Sequence, residues 1–478
     1  MKNYIYKILL SLSIFIFIII FSYLSIRRYR TLNSYYYDLG IMNQVVYNTS
    51  QGRFLEMTNQ DLKKNVSRLA IHFDPILAIF APFYKIYEGP EVLLIGQVII
   101  LGLGALAVFL ISQKILKKHL ISFIFALTYL FYFAIQRAVL FDFHAVTIAT
   151  TTLLFAIYFS EVKKWSYFFF FIFLSLLTKE HIGLIVLCFG VYLFLVKKEK
   201  KIGLMTFVLG LLFFISTVYF IIPYFRGSEH FAARYFDNWS LRLPEIFKQG
   251  FSYIKLLITP LFYSLFSPLT LLISLPESAI NILSINSNQR SIYFHYNSII
   301  VAFLFYSLIL GYKNFNKIIK NKILKTAIFF TFLSINIYSV YLYNPVPYFV
   351  KQPVGYKEID KVKSESIKFW VNKLKDENIK VATTPKLAPF LTNRKYYFNF
   401  LYDSAFATMG QTKEDILKNE IGKYSLADYI MINRSEIGDI SKNSIPVKFY
   451  FKLLDDNTFQ MVFTDEQGEN SIEVYKKI

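Results

Sequence analysis

Residues 165–196 read WSYFFFFIFLSLLTKEHIGLIVLCFGVYLFLV, two apolar runs broken only by Lys179-Glu180-His181. Lys163 and Lys164 precede the stretch, and Lys197, Lys198, Lys200 and Lys201 follow it. A run of about 20 apolar residues lets a helix cross a hydrocarbon core about 30 Å thick. These runs are somewhat shorter, so they predict a tight membrane hairpin with its three polar residues at one face. Lysines gather on the cytoplasmic side of short loops, which places both lysine clusters inside and the 179–181 tip outside.

The same alternation extends through most of the chain. Of 478 residues, 55% are hydrophobic and 18% charged, against about 25% charged in an ordinary soluble domain. Further lysine loops occur at Lys114, Lys117 and Lys118 and at Lys313, Lys317, Lys320, Lys322 and Lys325. Threading apolar runs between these loops predicts about eleven transmembrane helices in residues 1–344, the N-terminus cytoplasmic and a long first outer loop spanning 27–89. The run at 8–26 lacks a small-residue cleavage site and reads as a retained helix rather than a signal peptide. Residues 251–284 accommodate one crossing or two, and two, turning at Ser267-Pro268, keep the later lysines inside.

From residue 345 onward the pattern becomes that of a soluble domain. Helical spacing at Ser364–Leu374 and Lys413–Lys423 alternates with strand-like Lys380–Thr384 and Tyr429–Asn433. Closing β structure is expected over Phe449–Lys477, turning at Asp455-Asp456-Asn457. This predicts a small extracytoplasmic α/β domain, 345–478. Nearly all of the net charge of +20 belongs to the membrane half, much of it in the lysine loops. It therefore reflects orientation in the bilayer rather than a nucleic-acid surface. The single cysteine, Cys188, excludes a disulfide framework.

In this topology five of the six histidines and most carboxylates of the membrane half lie outside. Ionisable groups at membrane depth are costly, so each is a candidate for function. Asp38 follows the first helix, where it could also cap the stretch Ile41–Tyr47. His72 and Asp74 precede Pro75 at the entry to the short apolar segment Ile76–Tyr87, with Asp74 a possible cap. Asp142 and His144 share the turn between the third and fourth helices. Lys179, Glu180 and His181 form the hairpin tip, where a Lys179–Glu180 ion pair is the structural alternative. Arg290, His295 and Tyr296 lie in the loop before the tenth helix, Arg290 offering a planar fork for phosphate. Glu277 reads as a buried structural residue. Arg27, Arg28 and Arg30 break the charge rule and would contact lipid headgroups or an anionic substrate.

Taken in order, Tyr37–Gln44, His72–Pro75, Asp142–His144, Lys179–His181 and Gln289–Tyr296 resemble the motifs of domain of unknown function family 2079, a group of prokaryotic membrane proteins. That family more usually has Asp at the third position of the Lys-Glu-His motif. It is in turn similar to the GT-C glycosyltransferases, multi-helix enzymes that use polyprenyl-phosphate sugars. The resemblance implies an acidic residue essential for transfer just after the first helix, which Asp38 matches, and a second in a later outer loop, matched by Asp142. It implies a polyprenyl-phosphate-linked sugar as donor, an extracytoplasmic glycan, lipid or protein as acceptor, and room for a divalent cation of unspecified identity. A transporter or flippase, or a non-catalytic assembly protein, is the competing expectation.

Overall fold

The computed structural model describes residues 2–478 except 61–62, 231–242, 347–349, 401–423, 443, 466–467 and 469. The helix expected at Lys413–Lys423 lies outside the described residues. The described chain is mostly helical and divides into two compact units. The first comprises residues 1–25, 69–76 and 94–355; the second comprises 26–68, 77–93 and 356–478. The second unit therefore combines the C-terminal segment with parts of the segment between the first two long helices.

In the first unit the apolar runs form helices. Across the described chain, five helices are long and apolar enough to span a membrane: Tyr4–Arg30, Glu91–Leu116, Lys200–Arg226, His295–Ile318 and Lys322–Tyr343. Their mean hydropathies run from 1.5 to 2.6. The expected third helix is a pair, His119–Phe131 and Phe133–Leu140, bent by 41°. Tyr132 at the break has extended dihedrals, and its hydroxyl donates to the Leu257 carbonyl at 2.8 Å. The remaining apolar helices, including Ala145–Glu161, Trp165–Leu176 and Ile182–Leu195, have 10–17 residues. This is a helical membrane protein, with five full-length candidate spans among the described residues, or six if the bent pair is one span. Within 251–284 the chain breaks at Ser267, whose φ of −141° and ψ of 59° end one helical stretch before Pro268 starts another.

The hairpin that decided the reading is followed by a close helix pair. Gly183 and Gly190 on Ile182–Leu195 face Gly203 and Gly210 on Lys200–Ile215. A methyl group added at Gly190 would sit 2.3 Å from the Phe207 nitrogen, and one at Gly210 would sit 2.4 Å from the Leu187 nitrogen. Each pair is seven residues apart, which keeps the glycines on one face and lets the two backbones touch.

The second unit is built on a five-stranded mixed sheet of β3 (Val381–Thr383), β4 (Tyr397–Asn399), β5 (Tyr429–Asn433), β6 (Phe459–Thr464) and β7 (Ile472–Lys477), ordered β4-β3-β5-β7-β6. β3 runs parallel to β4 and β5, while β7 is antiparallel to β5 and β6. The helix Lys361–Lys373 buries Ile367 and Trp370 in a cluster with Val381, Met431, Ile472 and Val474. One expectation is corrected here: residues 449–454 are not β structure but belong to the helix Ile445–Leu454. Ser444 caps that helix by accepting from the Val447 N–H, and Pro446 occupies its first turn.

The segment between the first two long helices contributes a hairpin, β1 (Glu56–Asn59) with β2 (Lys64–Ser67), which covers the free side of β4. Thr58 Oγ1 accepts from the Tyr397 N–H at 3.1 Å, and Gln60 Oε1 accepts from the Asn399 N–H at 2.8 Å. Gln60 Nε2 donates to the Tyr397 carbonyl at 3.0 Å. Side chains thus satisfy an edge that would otherwise present open backbone groups.

Candidate functional site

In the first unit, the polar residues scattered through the sequence meet at turns and helix ends. Glu180, 5% exposed, sits between Trp165–Leu176 and Ile182–Leu195. One carboxylate oxygen lies 3.0 Å from His72 Nδ1; the other accepts the Phe73 N–H at 3.0 Å. His230 Nε2 lies 3.7 Å from the first oxygen. Burial alone would raise the Glu180 pKa, but His72, His230 and Lys179 outweigh it and hold the carboxyl well below the usual carboxylate range. The Ile76 N–H donates to the Leu177 carbonyl at 3.0 Å, tying the His72–Pro75 loop to the hairpin tip.

The next residue, His181, pairs with Glu277, Nε2 to Oε2 at 2.9 Å. Glu277 is in the first turn of Leu275–Leu283 and is 4% exposed. The sequence had marked it only as structural, yet it is the charged partner of a motif residue. Asn281, one turn further along that helix, donates to the Tyr253 hydroxyl at 3.1 Å and the Tyr296 carbonyl at 3.0 Å. Two polar residues four apart on an otherwise apolar stretch were the available signal.

His144 and His295 stack face to face, with centroids 3.6 Å apart and planes inclined by 18°. The Phe141 ring stacks 5.5 Å from His144, and the Tyr296 ring lies 4.2 Å from His295. Electrostatic interactions connect His295 with His144, Lys179, His72 and His181. Asp142, 1% exposed, adopts a φ of +65°, a left-handed conformation that Asp tolerates better than most residues. Gln97, an isolated polar residue in Glu91–Leu116, braces this turn. Its amide donates to the Asp142 carbonyl at 2.8 Å, while its carbonyl accepts the His144 N–H at 2.8 Å and the Thr147 hydroxyl at 3.0 Å. Gln97→Leu is expected to destabilise the protein by about 2–4 kcal/mol, because it strands several buried groups at about 1–3 kcal/mol each. Thermal unfolding of the purified variant measures this.

Lys179 is half-buried and its ammonium makes no hydrogen bond or close ion pair among the described residues, so the alternative Lys179–Glu180 bridge does not form; Glu180 pairs with histidines instead. Arg290 lies apart from the histidines by its bonding. Its Nη1 donates to the Asn281, Ile282 and Ser284 carbonyls, at 2.5 Å for the last, and its Nε donates to Gln249. Cations satisfy the free carbonyls at a helix C-terminus in this way. Asp74 is buried directly before Pro75, which opens a short 3-10 helix. Among the described residues no three His, Cys, Asp or Glu side chains form a group suited to a metal ion.

Asp38 belongs to the second unit. It lies in a π-helical turn, Tyr36–Gly40, continuous with the helix Ile41–Ser50. It is not the cap of that helix: Gly40 holds the capping position with helical dihedrals and no side-chain bond. The two amides of the same motif are structural. Asn43 donates to Thr392 Oγ1 at 2.9 Å and accepts from the Tyr84 hydroxyl at 2.7 Å. Gln44 donates to Thr58 Oγ1 at 2.9 Å and accepts the Thr58 N–H at 3.1 Å. Asp38 is half-buried, and π-helical turns of this kind are frequent at functional sites. Two of the arginines at the end of the first helix have protein partners: Arg27 bonds to Glu358 at 2.7 Å and Arg30 to Glu91 at 3.1 Å.

No curated protein matches the chain. The pattern of domain of unknown function family 2079, described as a predicted membrane protein, matches residues 28–444, which include every candidate residue from Arg28 to Tyr296. The chain therefore belongs to this family of membrane proteins.

Proposed function

We propose that the protein is a membrane glycosyltransferase of the GT-C kind, moving a sugar from a polyprenyl-phosphate donor to an acceptor outside the cytoplasm. The observation that carries this reading is the position of the polar cluster. His72, Asp142, His144, Lys179, Glu180, His181, Glu277 and His295 all lie in turns or at helix ends. A transport site is expected near the bilayer midplane, whereas a transferase acting on lipid-linked sugars works where lipid headgroups meet water.

The chemistry divides by role. An acceptor hydroxyl attacks the anomeric carbon, its proton passes to the Asp38 carboxylate, and the bond from the anomeric carbon to the phosphate oxygen breaks. The bonding pair leaves with the phosphate. Lys179 supplies positive charge to that departing group, Glu180 orients His72, and Asp142 serves as the second acidic residue. Arg290 acts by holding the end of the Leu275–Leu283 helix. The eleven-helix threading, with the tail outside, is the topology this reading requires.

A transporter is the second reading, favoured by the 41° bend at Tyr132, since broken helices build transport sites. Protein reconstituted in liposomes with a labelled polyprenyl-phosphate sugar separates the two. Acceptor-dependent release of polyprenyl phosphate is the expected result. Movement of the intact lipid between leaflets without its cleavage would establish the transporter.

A further inference from the structure

The helix Lys322–Tyr343 is the least covered of the five full-length spans, with only 11% of its apolar window buried. A helix this apolar and this open faces the hydrocarbon of the bilayer. It packs against the helix Leu243–Ile258 and the 3-10 turns Thr259–Phe266 that continue it. The Phe262 and Phe332 rings lie 6.0 Å apart, and Asn336 Nδ2 donates to the Pro260 carbonyl at 2.8 Å. Residue numbers fall on one element as they rise on the other, so the two run antiparallel. Residues before Pro260 therefore come against the last turns of the span.

Between the two elements lies a groove of about 340 Å³, open along one side. Leu256, Ile335 and Leu342 give it apolar walls, and Lys255 is the one charged side chain that lines it.

The residues around Lys255 fix its level in the bilayer. Tyr338 and Tyr341, in the last two turns of the span, are 62% and 49% exposed, with ring centres 6.4 Å apart. Exposed tyrosines at the end of a span mark the boundary between hydrocarbon and headgroups. Lys255 is exposed at this same end, and its ammonium makes no hydrogen bond or ion pair among the described residues. Lys351, also exposed, is pinned nearby through its backbone N–H, which donates to the Tyr341 carbonyl at 2.7 Å. An apolar groove ending in positive charge at headgroup level matches a lipid with an anionic headgroup.

We propose that this groove binds one molecule of an anionic phospholipid, with an acyl chain between the helices and the phosphate on Lys255. The lipid comes from the bilayer that the span already faces. None of the lining residues belongs to the polar cluster, and the proposal does not rest on the transferase reading.

The test takes the full-length protein in detergent, mixed with equal amounts of palmitoyl-oleoyl phosphatidylglycerol and phosphatidylcholine, and reads bound lipid by native mass spectrometry. One phosphatidylglycerol should be retained over phosphatidylcholine, which has the same chains, by about fivefold, the effect of one lysine at an anionic surface. Lys255→Gln should abolish that preference without removing binding. Thr259→Trp, which fills the groove from an exposed position, should remove retention of both lipids, with its fold checked by thermal unfolding. Lys255 is exposed, so the first variant decides alone should the second fail to fold. Equal retention of the two lipids by the wild type overturns the proposal, as does a preference that survives Lys255→Gln. A third arm adds an equal amount of undecaprenyl phosphate; displacement of the phosphatidylglycerol would overturn the assignment in favour of a polyprenyl chain.

Discussion

If the protein is the proposed transferase, Asp38→Asn is expected to lower kcat for sugar transfer by about 10²–10⁴-fold while leaving membrane insertion and abundance at wild-type levels. The magnitude is that of removing a general base, which contributes typically about 10²–10⁴. Asn preserves the size of the side chain, and neighbouring residues carry the structural work of this segment. Asn43 and Gln44 knit the helix to residues 389–394 through bonds the substitution does not touch. Release of polyprenyl phosphate from reconstituted protein measures the rate, and fluorescence-detected gel filtration measures abundance. A variant that transfers sugar at the wild-type rate would leave the reaction without its base.

The second large effect concerns stability. Glu180→Ala is expected to cost about 3–5 kcal/mol, the usual penalty for removing one member of a buried charged pair. His72 and the Phe73 N–H lose their acceptor together, and His230 loses a neighbouring charge. The same carboxylate makes stability depend on pH. Its folded pKa lies below the unfolded value of about 4.3. Its contribution is therefore complete above that value and disappears as pH falls through the folded pKa. Thermal midpoints taken from neutral pH into acid should hold and then drop, and Glu180→Gln should remove part of the drop. A midpoint for Glu180→Ala equal to that of the wild type would show that the histidines do not depend on this residue.

Features set by local pattern were legible in the sequence. Length and composition mark the long apolar helices, and the lysine loops mark where they end. The strands at 381–383 and 429–433 emerged close to their expected limits because short β-rich runs are flanked by polar residues. The four motif histidines were singled out by type and place, and all of them lie in the first unit. Partnerships across long separations were not legible. Nothing local tells that His181 will meet Glu277, or that Glu180 will choose His72, 108 residues away, over its neighbour Lys179. Three aromatics, Phe449, Tyr450 and Phe451, suggested a strand although Ser444 and Pro446 already carried the helix-start signal. The heptad spacing of the glycines at 183, 190, 203 and 210 was visible in principle, but only the paired backbones give it meaning.

The hairpin that closes β4 sets a biosynthetic order. Residues 56–67 leave the ribosome long before the strand they protect, so the nascent second unit must wait for nearly the whole chain. Its folding is consequently post-translational in large part, after the intervening helices have entered the bilayer. A tail of residues 356–478 produced alone would bare the outer side of β4 and self-associate, whereas co-expression with a peptide of residues 26–68 should restore a soluble species.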